Sequence, residues 1–120
     1  MKNEEKDLLP RPQMFARRII HLCCRLSKTD TVAQVLGKQA LRSGTSVGAN
    51  YREGNRARSK AEFIAKTGDG LKEADQTFYW LELLLEETIV LERKLGGLIA
   101  ESNQLIASFI AILKKARGHE

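Results

Sequence analysis

Proline, cysteine and histidine are scarce in this sequence, and each scarcity excludes something. The two prolines are Pro10 and Pro12, so no proline interrupts residues 13–120 and long helices are permitted there. The two cysteines, Cys23 and Cys24, are neighbours, and on a helix their side chains point about 100° apart, which makes a disulfide between them strained. We therefore expect free thiols, buried or half-buried. Because no Cys/His cluster accompanies them, we expect no metal site and no cofactor.

Long apolar runs are also missing. A membrane span needs an apolar run of about 18 residues, and the longest candidate, residues 78–85, is interrupted by Glu82. Residues 1–10 contain both acidic and basic side chains and have no apolar core, so they do not resemble a signal peptide. We therefore predict a cytoplasmic protein that does not interact with a membrane, with residues 1–11 as a flexible N-terminal tail.

Charge is unevenly distributed along the chain. The formal net charge is +5, and residues 1–58 hold 12 Lys/Arg against 5 Asp/Glu, while residues 59–120 hold 8 against 10. This asymmetry favours an acidic partner such as RNA or DNA, although a solvated face of a soluble protein would show it too. The candidate phosphate contacts all lie in the basic half: Arg17, Arg18, Arg25, Lys38, Arg42, Arg52, Arg56 and Arg58.

Apolar residues recur at intervals of three and four through four segments, and no segment alternates as a strand would. Asp30 or Thr29 suits the N-cap of the second segment, and Ser59 with Glu62 forms a capping box before the third. Gly96 and Gly97 then indicate the turn before the fourth segment.

These segments predict an all-α protein. Its simplest architecture is an antiparallel up-down four-helix bundle over residues 12–117, with a frayed C-terminus at residues 118–120.

The second segment is unusual because small residues line one side of it. Val32 and Leu36 begin its expected apolar face, and beside that face runs a ridge of small residues at helical spacing: Ala33, Gly37, Ala40, Gly44 and Gly48. Each interior glycine costs about 1 kcal/mol relative to alanine. The ridge therefore needs a packing or functional reason, and close approach of another helix is one.

Residues 44–48 read G-T-S-V-G and match the G-x-S-x-G pattern of a nucleophile elbow. The elbow requires a strand before the serine and a histidine after it. Here a helical pattern precedes Ser46, His21 comes too early, and His119 stands next to last. We therefore predict no catalytic residue and no enzyme.

The stretch L-R-S-G-T-S-V-G-A-N-Y-R-E-G, followed by S-K-A-E-F and L-K-E-A-D-Q-T-F-Y-W, resembles the 23S ribosomal RNA intervening-sequence protein family. The residues that carry the resemblance are Arg42, Ser43, Ser46, Asn50, Glu53, Gly54, Ser59, Glu62, Phe63, Glu73, Thr77 and Trp80. The resemblance implies a four-helix bundle that assembles into a ring, commonly a homopentamer, with a basic surface. It carries over no catalytic residue.

Two functions follow as expectations from the basic half and this resemblance. The first is a non-enzymatic oligomer that binds nucleic acid. The alternative is an interaction scaffold that docks an acidic protein such as a reverse transcriptase, as a similar accessory protein of diversity-generating retroelements does. Ser43, Ser46, Asn50 and Glu53 form a predicted polar strip, which either fixes helix register or a subunit contact, or contacts a ligand directly.

Overall fold

The computed structural model of the protein describes residues 10–118, and these fold into four α-helices. The helices are α1 (Arg11–Cys24), α2 (Thr31–Asn55), α3 (Lys60–Glu86) and α4 (Glu92–Arg117). Each helix packs against its neighbours in the chain, and α4 returns against α1. This confirms the predicted all-α four-helix bundle. Residues 1–9 of the predicted tail and residues 119–120 lie outside the described residues, and Arg11 is already part of α1.

Two helices begin at the residues that the sequence predicts. The Asp30 carboxylate accepts a hydrogen bond from the amide of Ala33 at 3.1 Å, and the Ser59 hydroxyl accepts one from the amide of Glu62 at 3.1 Å. The Glu62 carboxylate accepts from the amide of Arg58 at 3.3 Å, one residue before the partner that a capping box would use. Each cap contributes about 1 kcal/mol.

The turn between α3 and α4 lies elsewhere than the sequence predicts. We expected it at Gly96 and Gly97, but both glycines lie inside α4. The chain reverses instead at Thr88, which has a φ of 58°, and the amides of Thr88 and Ile89 donate to carbonyl groups in the last turn of α3. This arrangement is a Schellman motif with threonine in the left-handed position that usually holds glycine.

The small residues of α2 form its contact with α1. Three glycines of α2 pack against residues of α1 or of the turn after it, in the pairs Gly37–Leu26, Gly44–Ile19 and Gly48–Pro12. A Cβ at these glycines would stand between 2.5 and 3.3 Å from those side chains. At Gly37 the tip of the Leu26 side chain could move aside, whereas at Gly44 and Gly48 a larger residue would press against α1. The predicted close approach is therefore confirmed. Val32, predicted on the apolar face, is 56% exposed.

Helix α3 also offers small side chains where it meets α2. Its buried positions are Thr67, Gly70, Ala74, Thr77, Leu81 and Leu84. The phenylalanines of this helix, Phe63 and Phe78, are only half-buried. A Cβ at Gly70 would stand 3.3 Å from the carbonyl oxygen of Val47, which shows how near the two backbones lie. Small residues on both helices make this approach possible.

Helix α4 supplies much of the apolar core. Its buried residues are Leu95, Leu98, Ser102, Leu105, Phe109 and Leu113, and the Phe109 ring lies 5.2 Å from that of Tyr51. Residues 95–113 contain one charged residue, Glu101, so α4 is long and apolar enough by composition to suit a membrane span. The prediction that no segment could span a membrane did not take this helix into account. In the bundle Leu95, Leu105 and Phe109 are fully buried, while Ile110 is 44% exposed.

Candidate functional site: a basic surface and a polar strip

The predicted polar strip lies along the side of α2 that faces α3. Ser43 is fully buried, where the Thr77 hydroxyl donates to the Ser43 hydroxyl at 2.8 Å. The Ser43 hydroxyl in turn donates to the carbonyl oxygen of Gln39 at 2.9 Å. This hydroxyl pair joins two helices inside one chain, and it is satisfied without a ligand.

The other members of the strip are bound locally or at the surface. Ser46 and Asn50 are half-buried, and each donates to the carbonyl group four residues earlier, at 2.7 and 3.0 Å. Glu53 is exposed and forms a salt bridge of 3.4 Å with Lys66 of α3. These contacts favour a role in the register between α2 and α3.

Ser46 sits in the middle of a continuous helix, so it does not have the strand-to-helix elbow that a nucleophilic serine needs. Of the two histidines, His21 is exposed on α1 and His119 lies outside the described residues. Within residues 10–118, no group of three His, Cys, Asp or Glu residues is arranged to hold a metal ion.

All eight candidate phosphate contacts are exposed. Arg42 is the member that is engaged: its guanidinium donates to both carboxylate oxygens of Glu73, at 3.3 and 3.4 Å, and to the side chain of Gln76 at 2.9 Å. This salt bridge is half-exposed and contributes between about 0 and 1 kcal/mol.

The other seven form no salt bridge within the described part of the chain. We call these seven residues the basic surface: Arg17, Arg18, Arg25, Lys38, Arg52, Arg56 and Arg58.

Sequence reasoning missed three cations that the fold brings near this surface. Arg11, expected in the tail, forms a salt bridge of 3.2 Å with Glu101 of α4. Arg93 and Lys94 begin α4 and lie across a cleft from α1. Arg11, Arg18 and Arg25 recur at intervals of seven residues, which indicates a basic side along α1 and its end. No comparable signal existed for the first turn of α4.

The two cysteines differ in their surroundings. The Cys23 thiol donates to the carbonyl oxygen of Gly37 at 3.2 Å, and burial raises the pKa of this thiol, to which the neighbouring Cys24 adds. Cys24 is exposed, so the expectation of buried or half-buried thiols is wrong for that residue. Both are free thiols.

Comparison with known proteins agrees with this architecture. No curated protein sequence matches the chain significantly. A crystal structure of a protein of unknown function from the S23 ribosomal protein family of Bacteroides thetaiotaomicron is similar, with 37% identity and a TM-score of 0.85. The similarity covers 92% of this chain and 98% of that one. The family model described as 23S rRNA-intervening sequence protein matches residues 7–111. This chain therefore belongs to the 23S rRNA-intervening sequence protein family.

Proposed function

We propose that this protein is a non-enzymatic helical bundle that binds nucleic acid through the basic surface. The supporting observation is that the seven cations of this surface are exposed and form no salt bridge among residues 10–118. Phosphate groups can therefore approach them without breaking a contact of the fold. Binding would act through the phosphates and weaken steeply with salt. Because no row of aromatic side chains accompanies the cations, sequence readout is not expected.

The test is a mobility-shift titration of single- and double-stranded RNA and DNA at low salt. We expect the double variant Arg52→Gln/Arg56→Gln to bind several-fold more weakly and to show a shallower salt dependence. The matched control is Lys60→Gln/Lys72→Gln, which removes the same charge from exposed positions of α3. Absence of any shift with the unaltered protein, or equal weakening by the control, would overturn the proposal.

We also propose that the chain assembles into a homo-oligomer, with a pentamer as the expected size. Exposed apolar side chains support this: Val32, Val35 and Tyr79 are each more than half exposed. Assembly would remove these apolar side chains from water, and the pentamer as expected size is what the resemblance to the family implies. Light scattering on the purified chain measures its mass directly, and a monomer at micromolar concentration would refute assembly.

The alternative occupant of the basic surface is an acidic protein such as a reverse transcriptase. The same unpaired cations would serve it, through charge complementarity that steers association. The two candidates separate under nuclease treatment, because a protein complex survives the digestion and a nucleic-acid complex does not.

A further inference from the structure

A cleft lies at one end of the bundle, between the second half of α1 and the first turns of α4. The turns around residues 25–30 and 87–91 also line it. The volume of the cleft is about 780 Å³. Sites for small organic ligands measure roughly 300–1,000 Å³. Leu26, Val90 and Leu98 are buried residues that form an apolar floor, with Leu22 beside them. The cleft therefore has the size and floor that a small organic molecule needs.

Four cations line this cleft from two distant parts of the chain. Arg18 lies on α1 and Arg25 directly follows that helix, while Arg93 and Lys94 belong to the first turn of α4. None of the four forms a salt bridge within residues 10–118. A Cβ at Gly97 would stand 2.8 Å from a guanidinium nitrogen of Arg18, so this arginine reaches the α4 backbone over a residue without a side chain.

Two carboxylates also line the cleft, but they do not neutralise it. Asp30 is engaged by the amide of Ala33 at the start of α2. Glu87 is exposed at the end of α3. In addition, the N-cap residue of α4, Leu91, has no side chain that can accept from the first amides of that helix, which therefore add positive potential. Cations prevail over carboxylates here by four to two.

The geometry points to a binding site for a small organic phosphate of nucleotide size. The four cations hold its phosphate groups, and the apolar floor contacts the rest of the molecule. This site goes beyond the proposed binding of nucleic acid. It shares Arg18 and Arg25 with the basic surface, but its concave shape, its apolar floor, Arg93 and Lys94 are its own.

The experiment is calorimetric titration of the full chain at low salt with two probes, ADP and inorganic pyrophosphate. We expect one ADP per chain, and weaker binding of pyrophosphate because it cannot use the apolar floor. Arg93→Gln/Lys94→Gln should weaken ADP at least about tenfold, the effect of losing a charge-assisted hydrogen bond. Glu87→Gln should instead tighten ADP about twofold or more, because a carboxylate beside the phosphates is removed.

Lys60→Gln/Lys72→Gln serves again as the charge-matched control, and circular dichroism of each variant checks that it is folded. No heat with either probe at millimolar concentration overturns the site. Equal weakening by the control, or pyrophosphate binding as tightly as ADP, also overturns it. Mobility shifts on the same preparations are read separately. If the unaltered chain shifts nucleic acid but gives no heat with ADP, only the cleft site is refuted; if it binds ADP but shifts no nucleic acid, only the proposed function is refuted.

Discussion

The contact between Gly44 and Ile19 tests why α2 keeps glycine on its buried side. A Cβ at Gly44 would stand 3.0 and 3.1 Å from the two γ-carbons of Ile19 and 3.4 Å from its β-carbon. Ile19 is fully buried and β-branched, so no rotation of its side chain removes all three contacts. To admit an alanine, α1 must move away from α2 by a few tenths of an ångström.

Two opposing terms set the size of the effect. Replacing an unobstructed helical glycine by alanine stabilises a helix by about 1 kcal/mol. Overpacking a buried contact costs about 1–3 kcal/mol. We therefore expect Gly44→Ala to lower the free energy of unfolding by about 1 kcal/mol, the difference of these terms. At Gly68 nothing lies within 4 Å of an added Cβ. Gly68→Ala should thus raise that free energy by about 1 kcal/mol.

Urea unfolding followed by circular dichroism measures both variants with one assay. A double-mutant cycle then isolates the contact: in an Ile19→Ala background the obstructing carbons are absent, and Gly44→Ala should stabilise as Gly68→Ala does. The expected coupling is about 2 kcal/mol. If Gly44→Ala stabilises the unaltered chain, or the coupling falls below about 0.5 kcal/mol, close approach is not the reason for the glycine. Gly96→Ala, also unobstructed, provides a second control.

Three further predictions concern other parts of the fold. Thr88→Gly should raise the free energy of unfolding by about 0.5–1 kcal/mol in thermal or urea melts, since threonine is strained at a positive φ. Ser43→Ala and Thr77→Val should each cost about 1 kcal/mol, while the double variant should cost less than their sum, because either single change already removes the hydrogen bond between the two hydroxyls. With a thiol reagent at pH 8, Cys24 should react faster than Cys23, because Cys24 is exposed and the raised pKa of the half-buried Cys23 leaves less thiolate at that pH. Equal reaction rates of the remaining thiol in the Cys23→Ser and Cys24→Ser variants would contradict this last prediction.

Local signals in the sequence predicted the helix starts well. Asp30 and Ser59 cap α2 and α3 because their side-chain oxygens need only a backbone amide three residues later. The turn before α4 was not predictable in this way. Gly96 and Gly97 are exposed and tolerated inside a helix, while Thr88 takes a conformation that its residue type disfavours. Where the chain reverses was decided by packing of the whole bundle.

The candidate site likewise has a part that the sequence predicted and a part that it did not. The cations of α1 and α2 were predictable because they cluster in the sequence, and the structure exposes every one of them. The cleft was not, because Arg93 and Lys94 reach Arg18 and Arg25 only when two turns far apart in the chain meet at one end of the bundle.

The positive charge of the first helix pair follows from geometry as well as composition. Within residues 10–58 the only acidic residues are Asp30 and Glu53. Asp30 is engaged as an N-cap, and Glu53 pairs with Lys66 of α3, so neither forms a salt bridge with a cation of α1 or α2. Among the described residues, the acids of α3 and α4 that form salt bridges with α1 or α2 are Glu73 and Glu101, each with a single arginine as its partner. A bundle that needed these charges only for solubility could have interspersed both signs on every helix. In this chain the excess of positive charge lies on one helix pair, which is what the proposed contact with nucleic-acid phosphates requires.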